Sequence, residues 1–214
     1  MDTVLAFRPL LSSPRAKRMD GLQKREDKIR CVLGELLLRY ARYRDGKAFC
    51  TPRRDIYGKP YIPDDFFSLS HSGKYVVLAY GGTNVGVDVE QPQDEIEDCR
   101  QAFSEAEQAW IYEVPEAMKK DRFLQIWTLK ESYLKMRGTG FLTDPAKTSI
   151  VVQDDRFIAA DDQSGKLWLK SVRLPEGYYL GLCSQEREMW LEQVRLSELM
   201  DFLEDWKEKR YDIG

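Results

Sequence analysis

The sequence predicts an α+β protein made of two similar lobes, an N-terminal lobe over residues 1–83 and a C-terminal lobe over residues 84–214. Three observations lead to this prediction. Apolar residues recur at helical spacing in residues 28–43. Two apolar runs that resemble strands flank a Gly-Gly turn near residue 82, and the second half has helices followed by strand candidates. Because each half combines helices with antiparallel-type strands, we expect a cleft between the lobes.

The first half begins with a predicted short strand at residues 3–7, and a long amphipathic helix follows. The apolar face of that helix consists of Ile29, Val32, Leu33, Leu36, Leu37 and Tyr40. Residues 51–65 contain three prolines, which interrupt regular structure, and are predicted as a loop. The runs KYVVLAY and NVGVDVEQP stand on either side of GGTN, so they are predicted to pair with each other as a hairpin.

The second half carries clear helix signals. Ser104 and Glu107 have the spacing of a capping box, which predicts a helix start. The next helix is predicted to run from about Glu116 to Arg137 and to end at Gly138. Three or four strand candidates then precede a terminal helix, whose apolar face consists of Leu196, Leu199, Phe202, Leu203 and Trp206.

The composition excludes several classes of protein. With 43% hydrophobic and 12% aromatic residues the chain is expected to fold, and a net charge of −3 does not suggest a nucleic-acid binder. The four cysteines have no metal-binding spacing, which indicates a reducing compartment. No secretory signal and no membrane-length apolar run is visible, so we expect a cytoplasmic protein.

Two carboxylates share one face of the strand candidate NVGVDVEQP. In an extended segment Val85, Val87 and Val89 point to one side, while Asp88 and Glu90 point to the other. Such a pair can be an ordinary solvated edge, or it can bind Mg²⁺, which accepts one or two carboxylates with water and phosphate oxygens as its other ligands. The strand alone leaves both interpretations open.

The long helix supplies further candidates, because Trp127, Glu131 and Lys135 are spaced to lie on one face. A surface ion pair is the simpler interpretation of Glu131 and Lys135, but the tryptophan favours a half-buried cleft wall. His71, the single histidine, lies in the serine-rich segment SLSHSG, where hydroxyl and backbone donors could converge on a phosphate.

Taken together, five motifs in order resemble the surfactin-type (Sfp-like) 4'-phosphopantetheinyl transferases. The most specific feature is the pairing of G-x-D-x-E with W-x-x-K-E-x-x-x-K about forty residues later. The five motifs are YGKP (57–60), FSLSHSG (67–73), GVDVE (86–90), FSEAE (103–107) and WTLKESYLK (127–135).

This resemblance implies an enzyme that transfers the phosphopantetheine arm of coenzyme A to a serine of an acyl, peptidyl or aryl carrier protein, with release of 3',5'-ADP. It implies a pseudo-twofold pair of lobes, each with a small antiparallel sheet and a long helix, and a monomer. By position, Asp88, Glu90 and Glu131 would hold Mg²⁺. Lys135 would contact the phosphates, and Glu131 is the favoured candidate for removing the proton of the carrier serine, directly or through a metal-bound water.

The resemblance also assigns a nucleotide site. The residues that it places there are Lys17, Arg30, Lys59, Ser70, His71 and Lys135. His71, beside Ser70, would contact the 3'-phosphate together with Arg30 and Lys17, and Lys59 would lie near the adenine. Arg15 could take the place of Lys17, and Val89 stands where some relatives have a third acid. Two alternatives stay open: a non-catalytic relative that binds coenzyme A or a carrier, and a Mg²⁺-dependent phosphate hydrolase.

Overall fold

The structure is a computed structural model that describes residues 2–92, 99–138, 144–153, 156–160, 162 and 166–211. The chain forms two compact units, Met1–Thr51 with Glu188–Gly214, and Pro52–Arg187. Helices and antiparallel sheets occur together, as predicted for an α+β protein. The lobe boundary predicted at residues 83 and 84 lies inside the second unit, and the pseudo-twofold relation stays a prediction.

Helices stand at both ends of the described chain, and the strands lie between them in two groups. The helices are α1 (Asp2–Leu5), α2 (Ser13–Gly21), α3 (Arg25–Arg44), α4 (Glu105–Tyr112), α5 (Glu116–Arg137) and α6 (Leu196–Tyr211). The strands are β1 (Arg53–Arg54), β2 (Pro60–Tyr61), β3 (Phe66–Ser72), β4 (Tyr75–Gly81), β5 (Val85–Glu90), β6 (Ile150–Gln153), β7 (Arg156–Ala159), β8 (Trp168–Arg173) and β9 (Tyr179–Ser184). None of the helices in this described part of the chain is long and apolar enough to cross a membrane.

The first unit is a helical cluster. The amphipathic helix predicted around residue 36 is confirmed as α3, and the terminal helix is confirmed as α6. Val32 and Leu36 of α3 are fully buried in one core with Phe202 and Leu203 of α6. The side chain of Trp206, predicted on the same face, lies outside the described residues.

The strand predicted at residues 3–7 is wrong, because this segment begins with helix α1. Val4 is buried in the helical core of the first unit. In the described part of that unit there is no strand with which an extended segment could pair. A helix forms its backbone hydrogen bonds within its own segment, whereas a strand needs a neighbouring strand, which explains the difference.

The second unit contains three antiparallel sheets. Strand β1 pairs with β2, β3 pairs with β4, and a larger sheet has the order β5-β9-β8-β7-β6. The predicted hairpin of β4 with β5 is therefore wrong, although both strands exist. The tight turn lies one connection earlier, at residues 73 and 74, where Gly73 has φ +50°. Glycine adopts that backbone conformation readily, so β4 folds back onto β3. Strand β5 pairs with β9 instead.

Helix α5 packs directly on β5 and β9. It begins at Glu116 and is followed by Gly138 in the left-handed conformation, as predicted. A Cβ atom on Gly86 of β5 would lie 1.9 Å from the carbonyl oxygen of Ser132. A Cβ on Gly181 of β9 would lie 2.3 Å from backbone atoms of Thr128. The two glycines therefore allow the helix backbone to approach the sheet closely.

The capping box predicted at α4 is confirmed, and it extends into a buried ion pair. Ser104 accepts from the backbone N–H of Glu107, and the Glu107 carboxylate accepts from the backbone N–H of Ser104 at 2.8 Å. The same carboxylate accepts from Lys130 Nζ of α5 at 2.7 Å and from the backbone N–H of Ile150 at 2.8 Å. Glu107 thus connects α4, α5 and β6 inside the core.

Candidate active site

A pocket of about 330 Å³ in the second unit collects most of the predicted site residues. Strands β3 and β5 and helix α5 form its walls. Its lining consists of Leu69, Ser70, His71, Asp88, Glu90, Trp127, Glu131 and Lys135. The carboxylates, the lysine, the serine and the histidine, which lie in three separate motifs of the sequence, therefore meet in one place.

Strand β5 alternates as predicted, but its acidic side faces a helix rather than water. Val85 and Val87 are buried in a cluster with Leu180, and Val89 is fully buried. On the other side Asp88 is only 3% exposed and lies in the pocket wall. The interpretation of Asp88 as part of a solvated edge is therefore excluded.

Helix α5 presents two neighbouring rows of side chains to the sheet. Thr128, Ser132 and Met136 belong to the row that rests on the two glycines. Trp127, Glu131 and Lys135 belong to the adjacent row, one residue earlier at each turn, and line the pocket. Because the first row is held close to the strands, the second is held close to Asp88.

Lys135 and Ser70 both bind Asp88. Lys135 Nζ lies 2.5 Å from Asp88 Oδ1 and donates to Ser70 Oγ at 3.0 Å. Ser70 Oγ donates to the same Asp88 oxygen at 2.7 Å. The second carboxylate oxygen, Asp88 Oδ2, is buried and has no hydrogen-bond partner among the described residues. A buried carboxylate oxygen of this kind calls for a cation or a donor.

Burial, together with the proximity of the carboxylates to one another, raises the pKa of two acids in the pocket. Burial, and then the charge of Asp88, raise the pKa of Glu90 to about 6, whereas a hydrogen bond from Ser72 opposes the rise. Burial, and then Asp88, also raise the pKa of Glu131, and Lys135 opposes this increase. The three acids therefore repel one another, and a bound cation would relieve the repulsion.

The side chains in the pocket fit a small, hard cation. Three carboxylates and water are the type of ligand set that Mg²⁺ accepts, and Asp88 Oδ2 is an oxygen without a partner among the described residues. In the described part of the chain, no three His, Cys, Asp or Glu side chains are already arranged as a metal site. The ammonium group of Lys135 supplies the positive charge beside Asp88 in this arrangement.

Lys59 lies outside the lining of the pocket. Its Nζ donates to the carbonyl oxygen of Met136 at 3.0 Å, close to the C-terminal end of α5, and its stem lies beside Gly138. Burial lowers the pKa of Lys59. Lys59 therefore contacts the end of the helix that carries Glu131 and Lys135, and its predicted role near the adenine stays a prediction.

The remaining predicted nucleotide ligands belong to the first unit. Lys17 is an exposed residue of α2, and Arg15 of the same helix has its Nε 3.9 Å from a carboxylate oxygen of Glu35. Arg30 of α3 is ion-paired with Asp27 at 2.5 Å. The roles of Lys17 or Arg15 and of Arg30 at the 3'-phosphate stay predictions.

Sequence reasoning missed Ser72, whose hydroxyl donates to Glu90 Oε2 at 2.9 Å. The signal was present in the segment SLSHS. Ser68, Ser70 and Ser72 alternate at a spacing of two residues, which places all three on the same face of a strand. The sequence does not reveal that this face meets β5.

Comparison with known proteins adds an independent observation. A sequence model of the 4'-phosphopantetheinyl transferase superfamily matches residues 84–183. The chain is 26% identical over 187 residues to "4'-phosphopantetheinyl transferase Sfp" of Bacillus subtilis (strain 168), covering 83% of this chain and 84% of that protein. It is 30% identical over 174 residues to "4'-phosphopantetheinyl transferase gsp" of Aneurinibacillus migulanus, covering 74% and 70% of the two chains. With these matches along most of its length, the chain belongs to the 4'-phosphopantetheinyl transferase superfamily.

Proposed function

We propose that this protein transfers the 4'-phosphopantetheine arm of coenzyme A to a serine of an acyl, peptidyl or aryl carrier protein, with Mg²⁺ as cofactor and 3',5'-ADP as the second product. The observation that carries the proposal is the meeting of Asp88, Glu90, Glu131 and Lys135 in one pocket. The names of the similar proteins, which are 4'-phosphopantetheinyl transferases, support the same reaction.

The proposed cation site consists of Asp88, Glu90 and Glu131. The buried Asp88 Oδ2 and the mutual repulsion of the acids support it. When bound, Mg²⁺ would offset the negative charge of the pyrophosphate and of the leaving phosphate. Since Val89 is buried on the opposite side of β5, it offers no ligand, and water would complete the coordination.

The reaction requires one bond to form and one to break. The hydroxyl oxygen of the carrier serine attacks the phosphorus that bears pantetheine, and the bond from that phosphorus to the nucleotide breaks. Glu131 is proposed to accept the serine proton, because its carboxylate lines the same pocket as Asp88 and Lys135. Lys135, whose Nζ is already held beside Asp88, would contact the phosphates.

The nucleotide part of coenzyme A is proposed to contact Ser70 and Lys59. The residues proposed at its 3'-phosphate are His71, Arg30 and either Lys17 or Arg15. Ser70 and His71 line the same pocket as the acids, which supports their part of this assignment. We further propose that the protein acts as a monomer in the cytoplasm, with no nucleic-acid or membrane partner. The low net charge of −3 supports the absence of nucleic acid.

The direct test is incubation with coenzyme A, Mg²⁺ and an apo carrier protein, followed by measurement of the mass of the carrier. The expected result is a gain of one phosphopantetheine group, which EDTA abolishes and Mg²⁺ restores. Asp88→Ala and Glu131→Ala should each lower the rate by about 100-fold or more, with circular dichroism unchanged. Glu116→Ala is the control, because its side chain is 85% exposed at the other end of the same helix.

Two other outcomes would contradict the proposal. Binding of coenzyme A without modification of any of several carriers would indicate a non-catalytic relative. Release of inorganic phosphate instead of 3',5'-ADP would indicate a hydrolase.

A further inference from the structure

Serine hydroxyl groups connect strand β3 to strand β5 beside the pocket. The backbone of β3 pairs with β4, and that of β5 pairs with β9. Ser68 Oγ accepts from the backbone N–H of Val87 at 3.1 Å. Ser70 Oγ donates to Asp88 Oδ1 at 2.7 Å. Ser72 Oγ makes two contacts, one to the carboxylate of Glu90 and one to the backbone N–H of Gln91, which follows Glu90.

The two contacts of Ser72 define the direction of its hydroxyl hydrogen. Ser72 Oγ accepts from the backbone N–H of Gln91 at 3.1 Å, and it lies 2.9 Å from Glu90 Oε2. Since a carboxylate oxygen can only accept, the hydroxyl hydrogen must point to Glu90. The N–H of Gln91 thus holds the oxygen, and the oxygen holds the carboxylate.

Glu90 needs such a partner more than Asp88 does. Asp88 has a short side chain, is 3% exposed, and is held by both Lys135 and Ser70. Glu90 has one more rotatable bond and is only partly buried at the end of β5. Its proposed role requires the carboxylate to stay in one orientation at the pocket.

We propose that Ser72 is a positioning residue, whose hydroxyl group holds Glu90 in the orientation that binds a divalent cation. This inference rests on the proposed function for its cation site, but it concerns how this chain's own residues prepare that site. Ser72 does not line the pocket, so it acts through Glu90. Partners that orient metal-binding side chains in this way commonly change metal affinity by about 10- to 100-fold when they are removed.

The chain provides a matched control in Ser68. It lies on the same face of the same strand, and its hydroxyl accepts from a backbone N–H of β5, as that of Ser72 accepts from the backbone N–H of Gln91, directly after β5. Both Ser72→Ala and Ser68→Ala therefore remove one acceptor from a backbone donor. Only Ser72→Ala also removes a donor to a carboxylate. Ser72→Thr keeps the hydroxyl group, and a β-branched residue is well suited to a strand.

The test measures Mn²⁺ binding by electron paramagnetic resonance, in the absence of coenzyme A and carrier. Mn²⁺ prefers the same carboxylate ligands as Mg²⁺. We expect Ser72→Ala to weaken Mn²⁺ binding about tenfold, Ser68→Ala to change it less than about twofold, and Ser72→Thr to restore it to within about threefold of the unaltered chain. Thermal unfolding without metal should show that Ser72→Ala and Ser68→Ala lower Tm by similar amounts.

Three results would overturn the inference: equal Mn²⁺ affinity in Ser72→Ala and the unaltered chain, an equal loss in Ser68→Ala, or no Mn²⁺ binding by the unaltered chain. The carrier-mass assay is judged separately. An unaltered chain that binds Mn²⁺ without modifying a carrier would refute the proposed function alone. Normal transfer, together with a Ser72→Ala variant whose Mn²⁺ affinity and Mg²⁺ half-saturation are unchanged, would refute the positioning role alone.

Discussion

Replacement of Gly181 by alanine tests whether the close approach of α5 to the sheet sets up the site. Gly181 lies directly opposite Asp88 in the pairing of β9 with β5, but it has no side chain in the pocket. A Cβ at this position would lie 2.3 Å from the carbonyl carbon and oxygen of Thr128 and 2.6 Å from the backbone nitrogen of Leu129. These are backbone atoms of a helix, so no side-chain rotation relieves the overlap.

The size of the effect expected for Gly181→Ala follows from how far helix α5 must move. The helix must move by about 1 Å before the new methyl group reaches ordinary van der Waals contact. Overpacking of this kind costs about 1–3 kcal/mol of unfolding free energy. For a chain of this size, each kcal/mol lowers Tm by about 2–4 °C. Glu131 and Lys135 would move with the helix, and a misplacement of about 1 Å can reduce a rate by about 100-fold.

The assay compares Gly181→Ala with Gly81→Ala. Gly81 ends strand β4, and a Cβ added there meets no atom within 4 Å, so its replacement should leave stability and transfer nearly unchanged. Urea unfolding gives the loss of stability, and the carrier-mass assay gives kcat/KM. The reasoning would be refuted by a Gly181→Ala variant with the stability and kcat/KM of the unaltered chain.

Three further predictions concern the surroundings of the site. Lys130→Met should reduce the unfolding free energy, measured by urea unfolding, by about 3–5 kcal/mol, because it leaves Glu107 buried without its cation. The control is the double variant with Glu107→Gln, which should recover stability, and an unchanged urea midpoint in Lys130→Met would contradict the prediction. Gly138→Ala should lower the unfolding free energy by about 1 kcal/mol, since Gly138 has φ +74°, and Gly138→Asn should lower it by less. Equal stability of both variants and the unaltered chain in urea unfolding would contradict this prediction. Burial raises the pKa of Cys183 to about 12, so iodoacetamide at pH 8 should label the exposed Cys50 and leave Cys183 unlabelled until urea unfolds the chain. Mass spectrometry of peptides measures the labelling, and labelling of Cys183 in the folded chain would contradict the prediction.

Local signals explain which parts of the fold were predictable. The end of helix α5 was predicted from Gly138, and the start of α4 from the capping box of Ser104 with Glu107. Each signal acts within a few residues of the chain, so no knowledge of distant contacts is needed. The alternation of β5 is local in the same sense.

Strand pairing was less predictable, because it depends on partners that are distant in sequence. Strand β5 was expected to pair with β4, its neighbour along the chain, but pairs with β9, nearly a hundred residues later. Similarly, residues 3–7 could be assigned to a strand only while their surroundings were unknown. In both cases long-range packing decided between locally acceptable structures.

The sequence by itself determined that Asp88 and Glu90 share one face of a strand and that Glu131 and Lys135 share one face of a helix, since those spacings follow from backbone geometry. Only the tertiary structure decided that the two faces meet. Gly86 and Gly181 allow helix α5 to come close to β5 and β9. Ser70 and Ser72 of strand β3 orient Asp88 and Glu90. The physical reason is that periodicity fixes the direction of a side chain within its own element, whereas its neighbours depend on how separate elements pack.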